Sequence, residues 1–398
     1  MVLRHQYLDK LERLRDKDII KIITGVRRCG KSTLLRQFSD SLIAKGVPRS
    51  SIIYIELDRI ENEPLLEYHA LYRKILEACD EGSKNYVFLD EVQLVPDFQK
   101  AVISLFERKN VDIYLTGSNA CLLSGEMATL LSGRYIEISM LPLSFAEYAE
   151  LTGEDTQKAW PSYFRYGGFP YLPNIPGEDE KRDYLQGLYH TVLLKDVMER
   201  HKVQDPYILE SVLRFLFDNT GNLTNTKKIA DSLTSYGRKT TPVTVEKYLR
   251  ALEDAFIIYR VGRYDLQGKQ HLKMVGKFYV VDMGLRWLLL GNRGRDIGHV
   301  LENIVFLELL RRGCRVYVGR MKDMEIDFIA EKNGDRAYYQ VAASIMDPAA
   351  YEREMKPLKE VNDNYPKYVL TMDTLPMDED GIRQKNILDF LQEEKYFQ

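Results

Sequence analysis

An α/β fold, with a parallel sheet covered by helices, is what the first part of this 398-residue chain predicts. Two observations carry that expectation. Short apolar runs at Ile19–Thr24, Ile52–Leu57, Tyr86–Leu89, Val111–Thr116 and Tyr135–Ile138 alternate with segments of helical periodicity, the pattern of strands joined by crossover helices. The first run leads through a glycine-bounded loop straight into a helix-forming segment. Ahead of it, Leu3, Tyr7, Leu8, Leu11 and Leu14 recur at helical spacing among charges, so an amphipathic helix is expected within residues 1–17.

The loop after the first strand reads Gly25-Val26-Arg27-Arg28-Cys29-Gly30-Lys31-Ser32-Thr33 and matches G-x-x-x-x-G-K-[ST] in full. Glycines at both ends let the backbone curl with its N–H groups turned inward on phosphate oxygens, and the following helix directs the positive end of its dipole there. Lys31 is the side chain expected to reach the β and γ phosphates of ATP, and Ser32 the hydroxyl expected on Mg²⁺. Cys29, inside this loop and close to a helix N-terminus, is expected to be a reactive thiol shielded by nucleotide.

The third run ends Val87-Phe88-Leu89-Asp90-Glu91, a Walker B pattern that delivers two acids at a strand's carboxyl end. Asp90 is expected to hold Mg²⁺ and Glu91 to orient or deprotonate the attacking water. The fourth run ends Leu115-Thr116-Gly117-Ser118-Asn119, where Ser118 first, then Thr116 and Asn119, are candidates for sensing the γ-phosphate; a plain polar turn has the same pattern. Arg134, at the start of the fifth strand, is a candidate to stabilise the transferring phosphoryl group in its own subunit or a neighbour's, against the reading of a surface arginine in a turn.

Composition narrows the setting. Hydrophobic residues make up 45% and charged residues 29%, and the formal net charge is −3, so any nucleic-acid affinity must come from a local patch. Cys29, Cys79, Cys121 and Cys314 are scattered without a C-x-x-C, the start lacks a signal peptide's apolar region, and no apolar run approaches membrane-spanning length. A reduced, cytoplasmic protein with no membrane partner is expected.

Together these blocks resemble the predicted prokaryotic AAA-type ATPases that carry a C-terminal region of unassigned function. The resemblance rests on Thr24–Leu35, Leu89-Asp-Glu-Val-Gln93, Thr116-Gly-Ser118, Leu131-Ser-Gly-Arg134, Leu141-Pro-Leu-Ser-Phe145 and Gly167-Gly-Phe-Pro170. It continues through Leu194–Arg200, Phe278–Leu285, Leu301-Glu-Asn303 and Glu325–Ile329, nearly the full length. It implies a P-loop NTPase of AAA/ASCE type, an ATP-binding switch or motor, over residues 1–145.

Beyond that core, residues 146–204 are expected to form a helical lid. Residues 205–297 predict helices at Ile208–Asn219, Thr226–Leu233 and Thr241–Leu252, then strands Phe256–Val261 and Lys277–Val281, the order of a winged helix-turn-helix. Eleven basic residues (Lys227, Lys228, Arg238, Lys239, Lys247, Arg250, Arg260, Arg263, Lys269, Lys273 and Lys277) stand against five acids between positions 221 and 278, the asymmetry DNA binding requires; docking of a protein partner is the alternative. Residues 298–398 resemble a restriction-endonuclease-like α/β domain. Glu302 stands on its helix, Asp327 on one strand and Gln340 on the next, a vestigial metal site. Ala342 occupies the place of the expected lysine, for which Lys322 or Lys332 are stand-ins, so an inactive domain is expected. The function expected is ATP hydrolysis with Mg²⁺ coupled to movement of the C-terminal domains, with an oligomer open. A nucleotide-regulated scaffold with little turnover and an ATP-regulated nuclease are the alternatives.

Overall fold

The computed structural model describes residues 2–118, 131–192, 197–198, 201, 203–291 and 297–393. Asn119, Cys121 and most of the Leu194–Arg200 block lie outside the described residues. The chain divides into two compact units, Met1–Pro142 with Asp254–Phe256, and Leu143–Glu253 with Ile257–Gln398. No helix among the described residues is long and apolar enough to cross a membrane.

In the first unit, helix α1 (His5–Leu14) buries Tyr7 and Leu11 and leads into strand β1 (Ile20–Thr24). Then follow α2 (Lys31–Ala44), β2 (Ile52–Glu56), α3 (Tyr68–Ala78), β3 (Asn85–Asp90), α4 (Phe98–Phe106), β4 (Val111–Gly117) and β5 (Tyr135–Ser139). The five strands form a sheet in the order β2-β3-β4-β1-β5, and every neighbouring pair is parallel. Apolar side chains occupy both faces, as a sheet covered on two sides demands. Ile22, Val87, Leu89, Ile113 and Leu115 pack with Leu71 and Ile75 of α3 and Val102 and Leu105 of α4. Residues one position along point the other way: Phe88 and Tyr114 stack at 4.8 Å, and Phe38 of α2 lies 5.2 Å from Tyr114. The strand order has a functional consequence: β4 lies between the strand before the glycine loop and the strand that ends in Asp90.

The second unit opens with α5 (Phe145–Thr152), whose capping box pairs Ser144 with Glu147, followed by α6 (Thr156–Tyr166) and α7 (Glu178–Thr191). Helices α8 (Pro206–Asp218), α9 (Thr226–Ser235) and α10 (Pro242–Asp254) precede the antiparallel hairpin β6 (Ile258–Asp265) and β7 (Gln270–Val280), and Thr224 bridges to Gly276. Both strands run longer than their apolar cores suggest. Gly262 and Gly276 pair within the ladder, with a register shift after Gly262, instead of bounding a turn. Helices α11 (Met283–Leu290) and α12 (Ile297–Arg311) come next, then β8 (Arg315–Met321), β9 (Met324–Lys332), β10 (Asp335–Val341), α13 (Pro348–Lys359), β11 (Lys367–Thr371), β12 (Ile382–Asn386) and α14 (Ile387–Gln392).

One seven-stranded mixed sheet, β12-β11-β10-β9-β8-β6-β7, unites the hairpin with the last segment. Arg263–Asp265 pair in parallel with Val318–Arg320, so the sheet continues across the boundary expected at 297/298. An exposed strand edge carries unpaired N–H and C=O groups, and β6 supplies partners for those of β8. Two of the blocks that carry the family resemblance also meet here. Buried Asp282 caps α11 and accepts N–H bonds from Gly168 (2.6 Å) and Gly284 (2.8 Å). A Cβ on Gly167 would come 2.0 Å from Asp282 Oδ1, which explains the glycine there.

Candidate nucleotide-binding site

The loop between β1 and α2 is shaped by two glycines. Gly25 (φ 148°) approaches Met140 so closely that a Cβ would meet its carbonyl oxygen at 2.2 Å, and Gly30 (φ 106°) is the left-handed residue from which α2 starts. Arg28 adopts φ 68° although it carries a side chain. The start of α2 leaves N–H groups directed at the loop's hollow, as anion binding requires. Lys31, 4% exposed, donates to Gly25 O (3.0 Å) and Val26 O (3.1 Å) of its own loop. Val26 is buried, Arg27, Ser32 and Thr33 are half-buried, and Arg28 is exposed. Arg4 braces the loop from outside, with Nη1 on Cys29 O (3.3 Å) and Nη2 on Leu141 O (3.0 Å).

Cys29 departs from expectation. Its side chain is fully buried, with Sγ 3.2 Å from where a Cβ of Gly25 would lie, so the thiol sits beneath the loop and out of reach of solvent.

Parallel register brings the other candidates to the same edge. Thr24 pairs with Gly117, and Leu89 with Leu115, so the ends of β1, β3 and β4 are level. Asp90 is 3% exposed; it accepts hydrogen bonds from the Thr116 and Ser32 hydroxyls. Burial raises its pKa, opposed by those two hydroxyls. Glu91 takes a left-handed backbone (φ 56°) and donates its N–H to Thr116 Oγ1 at 2.9 Å. That turn swings Gln93 back so that its Nε2 donates to Glu91 Oε2 and lies 3.5 Å from Ser118 Oγ. Gln93 Oε1 is buried without a partner. The hydroxyl and carboxylate oxygens of Ser32 and Asp90 thus converge on one point, a hard-donor set that fits Mg²⁺.

Two roles shift. Thr116, ranked after Ser118 from the sequence, links Asp90 to Glu91, whereas Ser118 meets Gln93. Gln93 was not singled out; its signal was its place two residues beyond the second acid, in a turn that only the left-handed Glu91 makes compact.

Arg134 is not brought to this edge. β5 pairs with β1 in parallel from Tyr135 opposite Ile20, and Arg134 O accepts the Ile20 N–H at 2.8 Å. Arg134 therefore stands at the start of the strands and the loop at their end, about 16 Å away along β1. That places it at the opposite end of the sheet from the loop of its own subunit.

The residues expected as a second, vestigial site do converge. Lys277 Nζ lies 2.7 Å from Glu302 Oε1 and 3.5 Å from Asp327 Oδ1, and Gln340 Oε1 accepts the Asp327 N–H at 2.8 Å. The lysine is neither of those expected. Lys322 is exposed and pairs with Glu360, and Lys332 donates to Arg312 O at 2.6 Å. Lys277 had been counted with the basic surface, yet its side chain is 3% exposed. Of that surface Lys227, Lys228, Arg238, Lys239, Lys247 and Arg250 are exposed, while Arg260 is tied to Glu253 (2.9 Å) and Glu246 (3.2 Å).

Comparison with known proteins bears on the family and the fold. The AAA domain family matches residues 17–149, and a domain of unknown function matches residues 157–296. An uncharacterized protein of Haemophilus influenzae is 41% identical over 398 residues, covering 98% of each chain. An uncharacterized protein of Methanocaldococcus jannaschii is 30% identical, covering 87% of this chain and 80% of its own. Among solved structures, the Walker-type ATPase of Pyrococcus abyssi superposes with a TM-score of 0.51 at 16% identity, over 73% of this chain and 96% of that one, a likeness of fold. The chain belongs to the family of AAA-type P-loop ATPases that carry a C-terminal region of unassigned function.

Proposed function

We propose that this protein hydrolyses ATP to ADP and phosphate with Mg²⁺ and couples turnover to its C-terminal region. The observation that carries the reading is the chain of hydrogen bonds Ser32–Asp90–Thr116–Glu91 at the level ends of β3 and β4, beside the loop that holds Lys31. On ATP binding Lys31 exchanges two loop carbonyls for phosphate oxygens. Ser32 and Asp90 would hold Mg²⁺, which when bound would neutralise charge on the phosphates and offset the cost of a buried Asp90 carboxylate. Glu91 takes the proton of the attacking water, and Gln93, with an unpaired acceptor, and Ser118 position that water. A part for Arg134 requires a neighbouring copy's site, hence an oligomer.

In the C-terminal region we assign α8–α10 and the hairpin to a winged helix whose exposed Lys227, Lys228, Arg238, Lys239, Lys247 and Arg250 meet DNA phosphates. The free cysteines Cys29, Cys79 and Cys314 suit a cytoplasmic setting. The test is the ATPase rate of the full chain with and without double-stranded DNA. Turnover that DNA alters supports both halves. Turnover that DNA leaves unchanged points to a protein partner, and no turnover in either condition refutes the ATPase assignment.

A further inference from the structure

Four elements of the second unit deliver charge or hydrogen-bonding groups to one buried point. Glu325 and Asp327, two residues apart on β9, share a face, as do Lys277 and Tyr279 on β7, and Glu302 comes from α12. Lys277 Nζ lies 2.7 Å from Glu302 Oε1, 2.7 Å from Glu325 Oε1 and 3.5 Å from Asp327 Oδ1. Other protein donors join them: Tyr279 OH donates to the same Glu302 Oε1 at 2.6 Å, and the Val341 N–H to Asp327 Oδ2 at 2.9 Å. His299 Nδ1 stands 3.8 Å from Glu302 Oε2, and Gln340, behind Asp327, donates to Glu354 Oε2 at 2.8 Å. Burial works against the Glu302 carboxylate, but Lys277 and the flanking donors outweigh it and hold the acid below its ordinary range. Burial and Glu302 push Asp327 up to about 8.

We propose that this is a cation centre filled by the chain's own ammonium: Lys277 stands where a divalent ion would bridge Glu302, Glu325 and Asp327, and it ties the hairpin to α12 and β9. An ammonium has three donors and no acceptor. Acid oxygens lie around this ammonium at 2.7, 2.7 and 3.5 Å, so it is already engaged and is not offered to a scissile phosphate. Both Lys277 (3% exposed) and Glu302 (8%) are closed to a polymer backbone, and Gly221 lies over Glu302, where a Cβ would meet Oε2 at 3.0 Å. The centre therefore serves as a lock in which the lysine replaces a metal. Of the three acids Glu325, 31% exposed against 13% for Asp327 and 8% for Glu302, is the most open to solvent, and that is the route by which an ion enters once the lysine is removed.

The experiment counts Mn²⁺ bound to the full, nucleotide-free chain by electron paramagnetic resonance. K277A is expected to bind one Mn²⁺ per chain more than wild type, and K277A/E302Q to lose it again; sites shared by all variants cancel. A K277A variant that gains no ion overturns the proposal. So does a wild-type chain that loses a bound Mn²⁺, or a DNA-nicking activity, on E302Q alone. Should K277A not fold, thermal melting of K277M and K277M/E302Q decides. With the ammonium gone the acids repel, so the double variant is expected to melt higher than the single, and a double variant that melts no higher refutes the lock.

Discussion

Lys31 and Lys277 are both almost wholly withdrawn from solvent, yet their partners differ in kind. Lys31 rests on two neutral carbonyls of its own loop, contacts that an anion's oxygens replace at little cost. Lys277 rests on carboxylates, and removing one member of such a set strands buried charge. The first lysine is therefore poised to change partners and the second is fixed. The chain places exchangeable contacts where it handles ligand and charged, satisfied ones where it needs a rigid joint.

The sharpest test of the exchangeable site is Glu91→Gln. It retains the Gln93 and backbone contacts but cannot take a proton, so hydrolysis should slow by roughly 10²–10⁴-fold while ATP binding stays intact. A wild-type rate would show that Glu91 is not the base. Lys31→Ala comes next in size. Losing a charge-assisted contact to phosphate should weaken ATP binding by about 10²-fold. Unchanged affinity by calorimetry would mean that Lys31 never leaves its carbonyls, and the contrast with Lys277 would fail.

What was legible in the sequence follows the same division. The phosphate loop works through consecutive backbone N–H groups, so its spacing is its geometry, and Asp90-Glu91 ends a strand that is apolar on both faces. Gln93, quoted only as the end of the Leu89–Gln93 block, was given no role because its position depends on one left-handed residue. Glu302 and Asp327 were expected to lie together, but Lys277 between them was not, because it comes from β7, where it counted with the basic surface; its place beside Phe278 in a buried strand was the one local sign. β6 was read as ending near Gly262, since a glycine in a strand looks like a turn until its cross-strand partner, Gly276, is known.

Asp282 gives a smaller and separable effect in the fixed region. Burial lifts its pKa to about 7, from 3.8 in the open chain. Between those values the folded state holds the extra proton, so the contribution of Asp282 to stability is fully present below about pH 4 and is lost as pH rises through 7, by about 1.4 kcal/mol per unit at most. Asp282→Asn removes the titration while keeping an acceptor oxygen. The stability advantage of wild type over the variant, from urea unfolding between pH 4.5 and 8, should shrink with rising pH and level off above 7. Parallel curves would show that Asp282 stays ionised throughout.

The last and mildest effect separates basic residues that are free to meet phosphates from those already committed to acids. Each phosphate contact contributes about −0.9 to the slope of log affinity against log salt. Arg238, Lys239, Lys247 and Arg250 are exposed, although Arg250 lies 3.3 Å from Glu246, which discounts its share. Replacing these four with alanine should flatten the slope by up to about 3.6 if all four neutralise phosphates. It should leave ATP binding alone, because none belongs to the unit that holds the phosphate loop. Arg260→Ala is the control: its guanidinium already spans Glu253 and Glu246, so the slope should hardly move. If Arg260 matters as much as Lys247, ion pairing in the free protein does not decide which residues meet DNA. A quadruple variant with the wild-type slope removes these residues from the DNA surface altogether, and the same face is then to be tried against an acidic protein partner.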